Sequence, residues 1–141
     1  MSYIYGGFME ETEQSIDIYL QKFFICITES SRFKICLDRK TRKKNVVFVS
    51  EFGLRDADLK ALLLSLVPKD FSEVVQNSNP KFAHEMLYVF KKETTLKDIN
   101  GENQDLELYI KINLITTSSN DEAYVISCHP AEKPMTYYFD R

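Results

Sequence analysis

"LELYIKINL", residues 106–114, decides how this chain is read. Leu106, Leu108, Ile110, Ile112 and Leu114 alternate with Glu107, Tyr109, Lys111 and Asn113. A period of two puts the aliphatic side chains on one face of a β-strand and the polar ones on the other. The aliphatic face calls for a covering layer of helices. The other face stays partly open and carries a carboxylate, a phenol, an ammonium and an amide in a row. Polar outer faces are the rule for antiparallel sheets, so the row alone specifies no chemistry.

The flanking segments extend the pattern. "HEMLYVFKKE" (84–93) reads as a strand, and so does "AYVISCH" (123–129). They join the central strand through two polar loops, "TTLKDINGENQD" (94–105) and "TTSSNDE" (116–122), with Asn100 and Gly101 marking a turn in the first. The three strands form an antiparallel meander. The last one ends on His129, and Pro130 blocks further pairing.

The N-terminal half is mixed. "MEETEQSIDIYLQKFF" (9–24) predicts a helix with Ile16, Tyr19, Leu20 and Phe23 on one stripe and acids in its first turn. "RFKICLD" (32–38) predicts a strand, "RKTRKKN" (39–45) a basic turn and "VVFVS" (46–50) a second strand. "LRDADLKALLLSL" (54–66) predicts a helix with Leu59, Leu62, Leu63 and Leu66 inward, Asp56 as N-cap and Pro68 as breaker. "PKDFSEVVQ" (68–76) predicts a short helix with Pro68 in its first position, and "NSNPK" (77–81) a loop.

A chain of 141 residues is most simply one domain, and 44% hydrophobic with 28% charged residues is an ordinary globular balance. The formal charge of −3 does not announce nucleic acid. The charge is uneven, however: Arg32, Lys34, Arg39, Lys40, Arg42, Lys43 and Lys44 surround the single acid Asp38. Such a run is usually a solvated turn and in a minority of cases a phosphate-binding patch. Cys26, Cys36 and Cys128 have no paired spacing, the first residues lack a signal-peptide pattern, and no apolar stretch reaches membrane length. The expectation is a cytoplasmic protein with reduced thiols and no membrane partner. Two histidines and scattered cysteines make no metal-ligand pattern, and Cys128 and His129 point to opposite faces of their strand. No metal and no small-molecule cofactor is expected.

The glycines, Gly6, Gly7, Gly53 and Gly101, form no phosphate-cradling loop, and no nucleophile-elbow or zinc-protease motif occurs. The remaining set suits metal-free RNA cleavage. A base takes the 2′-hydroxyl proton, a cation stabilises the phosphorane and an acid protonates the leaving 5′-oxygen. His129, Tyr109, Lys111, Glu85 and Lys92 are candidates for neighbouring positions on one sheet. His84 reads as a loop-edge residue.

These segments resemble a family. "LYIKINL", "AYVISCHPAEKPMTYYF" and, upstream, "DFSEVV" and "HEMLYVFKKE" are similar to the MqsR-like mRNA-interferase toxins of bacterial type II toxin–antitoxin systems. The likeness runs from about Arg32 to Phe139 and is most specific in the tail, at Ile126, Ser127, His129, Ala131, Glu132, Pro134 and Met135. It implies a RelE-like α+β fold: a small curved antiparallel sheet, about four to six strands, with N-terminal and central helices packed on one face. Within a single domain of residues 1–141, the helix of 9–24 precedes a RelE-like core of 32–139. The resemblance also implies endoribonuclease action on mRNA, free or ribosome-bound, and a cognate antitoxin protein. Matched residue by residue it carries Tyr109, Lys111 and His129 as catalytic, with Lys92 and Glu132 supporting. Glu85 stands where better-known members carry a glutamine, Glu73 where a lysine is common, and the 94–105 loop is larger than usual.

Two other readings remain open beside the toxin. One is a catalytically degenerate module of the same fold that binds RNA or protein, suggested by Glu73, Glu85 and the negative charge. The other is a plain RNA-binding domain using the basic segment Arg39–Lys44; in the toxin reading Arg42 and Lys43 would touch RNA backbone or the antitoxin. The "KPM" segment, Lys133–Met135, has a structural alternative, in which it tucks the tail onto the core.

Overall fold

A computed structural model describes residues 10–117 and 120–141. The predicted helix start at Met9 and the Ser118–Ser119 part of the last loop lie outside them. The described chain is α+β: α1 (Glu13–Thr28), β1 (Phe33–Ile35), α2 (Lys43–Phe52), α3 (Asp56–Leu64), β2 (Phe71–Gln76), β3 (Met86–Lys97), β4 (Asn103–Thr116) and β5 (Asp121–Pro130). The strands form one sheet in the order β1-β5-β4-β3-β2. The meander β3-β4-β5 is antiparallel, as is β2 on β3, while β1 runs parallel to β5 at the edge. The sheet is therefore mixed rather than wholly antiparallel.

The aliphatic face of β4 is the floor of the core. Leu108, Ile110 and Ile112 are fully buried, each contributing about 1.5–3 kcal/mol of burial. Above them sit Ile16, Leu20 and Phe23 of α1, Phe48 of α2, and Leu59 and Leu63 of α3, all in one apolar cluster. Helix α1 starts later than predicted because Thr12 caps it. Its Oγ1 accepts from Ser15 N (3.0 Å), and Thr12 N donates back to Ser15 Oγ (2.8 Å). In α3 the N-cap is Arg55, not Asp56, and Asp58 reaches back to accept from Arg55 N at 2.8 Å.

Three expectations are corrected. "VVFVS" is not a strand, and the basic turn before it is partly helical. Together they make α2, whose Asn45, Phe48, Val49 and Phe52 turn inward while Val47 stays 42% exposed. Five residues, four of them apolar, are too few to separate a period of two from 3.6. Gly53, with φ of +57°, ends the helix in the left-handed region. "PKDFSEVVQ" is not a helix: Pro68–Asp70 is one 3₁₀ turn, and Phe71–Gln76 pairs with β3, with Ser72 bulged out of register. Pairing with a distant strand overrides local propensity there. The long loop 94–105 shrinks to a tight turn at 98–102, because β3 and β4 pair out to Lys97 and Asn103. Asp98 Oδ1 accepts from Asn100 N and Glu102 N, and Gly101 takes φ of +83°.

The edge of β5 has an unusual partner. β1 pairs with it only at Ala123–Val125, and a bulge follows at Ile126. Beyond the bulge Asn45 of α2 stands in for a strand. Its Nδ2 donates to Cys36 O (2.8 Å) and Ile126 O (2.9 Å), and its Oδ1 accepts from Cys128 N (2.9 Å). The side chain is buried, so its polar atoms and the backbone groups they meet all find partners. This clamp holds the backbone next to His129.

Candidate functional site: a cation-rich cleft on the open sheet face

Strand register assembles the site. Across the face turned away from the helices, Tyr109 of β4 pairs directly with His129 of β5 and with Lys91 of β3. The next row on that face is Glu73, Val89, Lys111 and Ser127, one from each of β2 to β5. Tyr109 and His129 stack, with ring centroids 5.6 Å apart and planes inclined by 21°. His129 Nδ1 lies 2.9 Å from Pro130 O. A carbonyl only accepts, so Nδ1 carries the proton and Nε2 is left free to take or give one.

The C-terminal tail crosses this face and walls the site. Lys91 anchors it: its ammonium lies 3.0 Å from Glu107 Oε1, donates to Met135 O (3.2 Å) and sits 4.4 Å above the Tyr137 ring. Ser72 Oγ donates to Thr136 O (2.7 Å), Arg141 donates to Ser72 O (3.0 Å), and Tyr137 donates to Glu93. Pro134 and Met135 thus form a wall of the site on the open face rather than tucking the tail onto the core; the tail residues that pack against the core are Tyr138 and Phe139. Between tail, sheet and α2 lies a cleft of about 550 Å³. Its charged lining is four Lys or Arg (Lys44, Lys111, Lys133, Arg141) against two Glu (Glu73, Glu132), a positive spot on a chain of net charge −3.

Among the described residues, neither the Tyr109 hydroxyl nor the Lys111 ammonium has a hydrogen-bond or ion-pair partner. Burial, and then the nearby charge of Arg42, hold the Lys111 ammonium below the usual lysine range. Burial and the charge of Glu73 push the Tyr109 phenol up. A half-buried cation without an acid, beside a second cation, is what an anionic ligand would relieve.

The other predicted residues fall in different places. Glu132 is at the rim, 2.5 Å from Lys44, which holds its carboxyl below the usual range. Arg42 precedes α2 and acts on Lys111 through its charge, and Lys43 is exposed on α2, beside a smaller hollow shared by His129 and Glu132. Lys92 is not in the cleft. It pairs with Leu108 on the helix-covered face, where it meets Asp70 (3.2 Å) and Ser65 O (3.1 Å). Glu85 is not in the cleft either: it precedes β3, accepts from Asn77 and Asn113, and lines a separate hollow with His84, Tyr19 and Tyr88. Cys128 faces the core opposite Ile110, its thiol pushed up to about 12 by burial. Among the described residues no His, Cys, Asp and Glu cluster suited to a metal occurs, and no helix is long and apolar enough to cross a membrane.

Sequence reasoning missed Asn45 and Arg141 and left Lys44 within a generic basic run. An asparagine inside "KKNVVF" at an inward helical position is the one local signal for the first. Nothing local marks Arg141.

The fold and cleft define an α+β protein with a mixed sheet, covered by helices on one face and carrying a cation-rich cleft on the other. No known protein family, curated protein or solved structure matches the chain.

Proposed function

We propose that this protein is a metal-independent endoribonuclease that cleaves mRNA, acting in the cytoplasm as the toxin of a toxin–antitoxin pair. The observation that carries the reading is the unpartnered Lys111 ammonium and Tyr109 hydroxyl gathered with His129 in one cleft. A phosphodiester supplies the anion that Lys111 lacks. Lys111 stabilises the extra charge of the phosphorane, Tyr109 orients the phosphate or 2′-hydroxyl, and Nε2 of His129 transfers a proton. The cleft's own residues supply the positive charge and proton transfer this reaction needs. The α+β architecture, with its open sheet face, is compatible with a RelE-like fold and supports the reading to that extent. A cognate antitoxin would act by covering this face.

The test is induction of wild type and His129→Ala in bacterial cells, with growth curves and mapping of new mRNA 5′ ends. Growth arrest with recurrent new ends, both lost in the variant, supports the reading. Normal growth and no new ends at confirmed expression would replace it with the degenerate binding module.

A further inference from the structure

In-line attack at phosphorus places the base and the acid on opposite sides of the phosphate, so one histidine does not complete the reaction. The cleft holds a second proton-transfer group. Glu73 of β2 is exposed, lines the same cleft as His129, and among the described residues has no hydrogen-bond or ion-pair partner. In the strand order β2-β3-β4-β5 it stands on one side of Tyr109 and Lys111 of β4, and His129 stands on the other. Three strand spacings across, about 14 Å, and one row along the strands, about 7 Å, put their backbones roughly 16 Å apart, a span that two side chains and a phosphodiester between them bridge. Glu132, the cleft's other carboxylate, is already engaged by Lys44. A free carboxylate has no role in holding a phosphate, which it repels.

We propose that Glu73 is the general base and His129 the general acid of an RNA transesterification centred on Lys111. The inference rests on the endoribonuclease reading. The Glu73 carboxylate takes the proton of the 2′-hydroxyl, and the 2′-oxygen forms a bond to phosphorus. The bond from phosphorus to the 5′-oxygen breaks, and the leaving oxygen takes the Nε2 proton of the His129 imidazolium. The products are a 2′,3′-cyclic phosphate and a free 5′-hydroxyl, with Glu73 protonated and His129 neutral until they exchange protons with water. The raised phenol of Tyr109, which feels the negative charge of Glu73, agrees with this placement. The charged and titratable groups facing the pair are Tyr109 and Lys111 of β4, Lys43, Lys44 and Glu51 of α2, and Glu132, Lys133 and Arg141 of the tail.

The experiment is mRNA cleavage by purified wild type, Glu73→Gln and His129→Ala, on free transcripts and in a translating extract, followed from acid to mildly alkaline pH. Wild type is expected to show a bell-shaped profile. Glu73→Gln is expected to lose the acidic limb and fall about 10²–10⁴-fold in kcat, with KM unchanged or lower because a repelling charge has gone. Glu73 is exposed and unpartnered, so thermal unfolding of this variant should match wild type. If Glu73→Gln keeps the acidic limb and cleaves within about threefold of wild type while His129→Ala is inactive, the base is another group and this inference fails alone. If wild type cleaves neither free nor translated mRNA, the endoribonuclease reading fails and takes this inference with it.

Discussion

Tyr109 and His129 are direct cross-strand partners on β4 and β5, and their rings stack at a centroid distance of 5.6 Å. A double-mutant cycle of Tyr109→Ala and His129→Ala on folding stability should return a coupling of about 0.5–1.5 kcal/mol, the value of an aromatic pair. Zero coupling would mean that the rings do not meet in solution. Tyr109→Phe keeps the stack and should leave stability within about 0.5 kcal/mol, while removing the hydroxyl from any reaction in the cleft.

Asn45 supports the strand that carries His129. Asn45→Ala leaves Cys36 O, Ile126 O and Cys128 N without their partner. At about 1–3 kcal/mol for an unsatisfied buried group, the loss should reach about 3 kcal/mol or more. Urea unfolding measures it. A change below about 0.5 kcal/mol would show that water replaces the amide at no cost.

Lys111 is costly to the fold and useful to a ligand. Its folded-state pKa is lowered, so above that value the unfolded chain binds the extra proton and stability rises with pH toward the unfolded lysine value of about 10.4. Lys111→Met should therefore fold at least as well as wild type. The same variant should bind single-stranded RNA more weakly and reduce the slope of log affinity against log salt by about 0.7, one phosphate contact. Unchanged salt dependence would remove Lys111 from any RNA path.

The phenols set the opposite trend. Burial, followed by interactions with Glu11 for Tyr88 and Glu93 for Tyr137, raises both above the usual tyrosine range, and burial does the same for Tyr19. A raised pKa gives stability that is fully present below the unfolded value of about 10 and lost as pH climbs toward the folded values. Tyr109 and Tyr124 are raised as well, and so are the buried thiols of Cys26 and Cys128, so against one lysine the urea midpoint should begin to fall above about pH 8.5 and fall further above about pH 10. Tyr137→Phe should flatten that fall. A midpoint that is flat to pH 11 contradicts the assignment.

The thiols should separate by burial. Cys26 and Cys128 are buried and raised, and Cys36 is partly exposed. A disulfide reagent at pH 8 should modify one thiol per native chain quickly, and Cys36→Ser should abolish that phase. The other two should react only on unfolding.

The alternation of β4, the meander around it, and the opposite facing of Cys128 and His129 were legible in the sequence alone. They follow from local covalent geometry, because successive side chains on a strand always point to opposite faces. The leucine stripe of α3 was legible for the same kind of reason. Only the tertiary structure decided that "VVFVS" coils into α2 and that Phe71–Gln76 extends into β2, since both runs are short enough to suit either period and distant partners choose between them. Register was equally out of reach. The bulge at Ile126 sets Tyr109 opposite His129, and the direction of one residue's side chain put Lys92 on the covered face and left Lys111 open to the cleft. Spacing along a chain states which groups share a face, whereas pairing across strands, which is paid for by contacts far apart in sequence, states which of them meet.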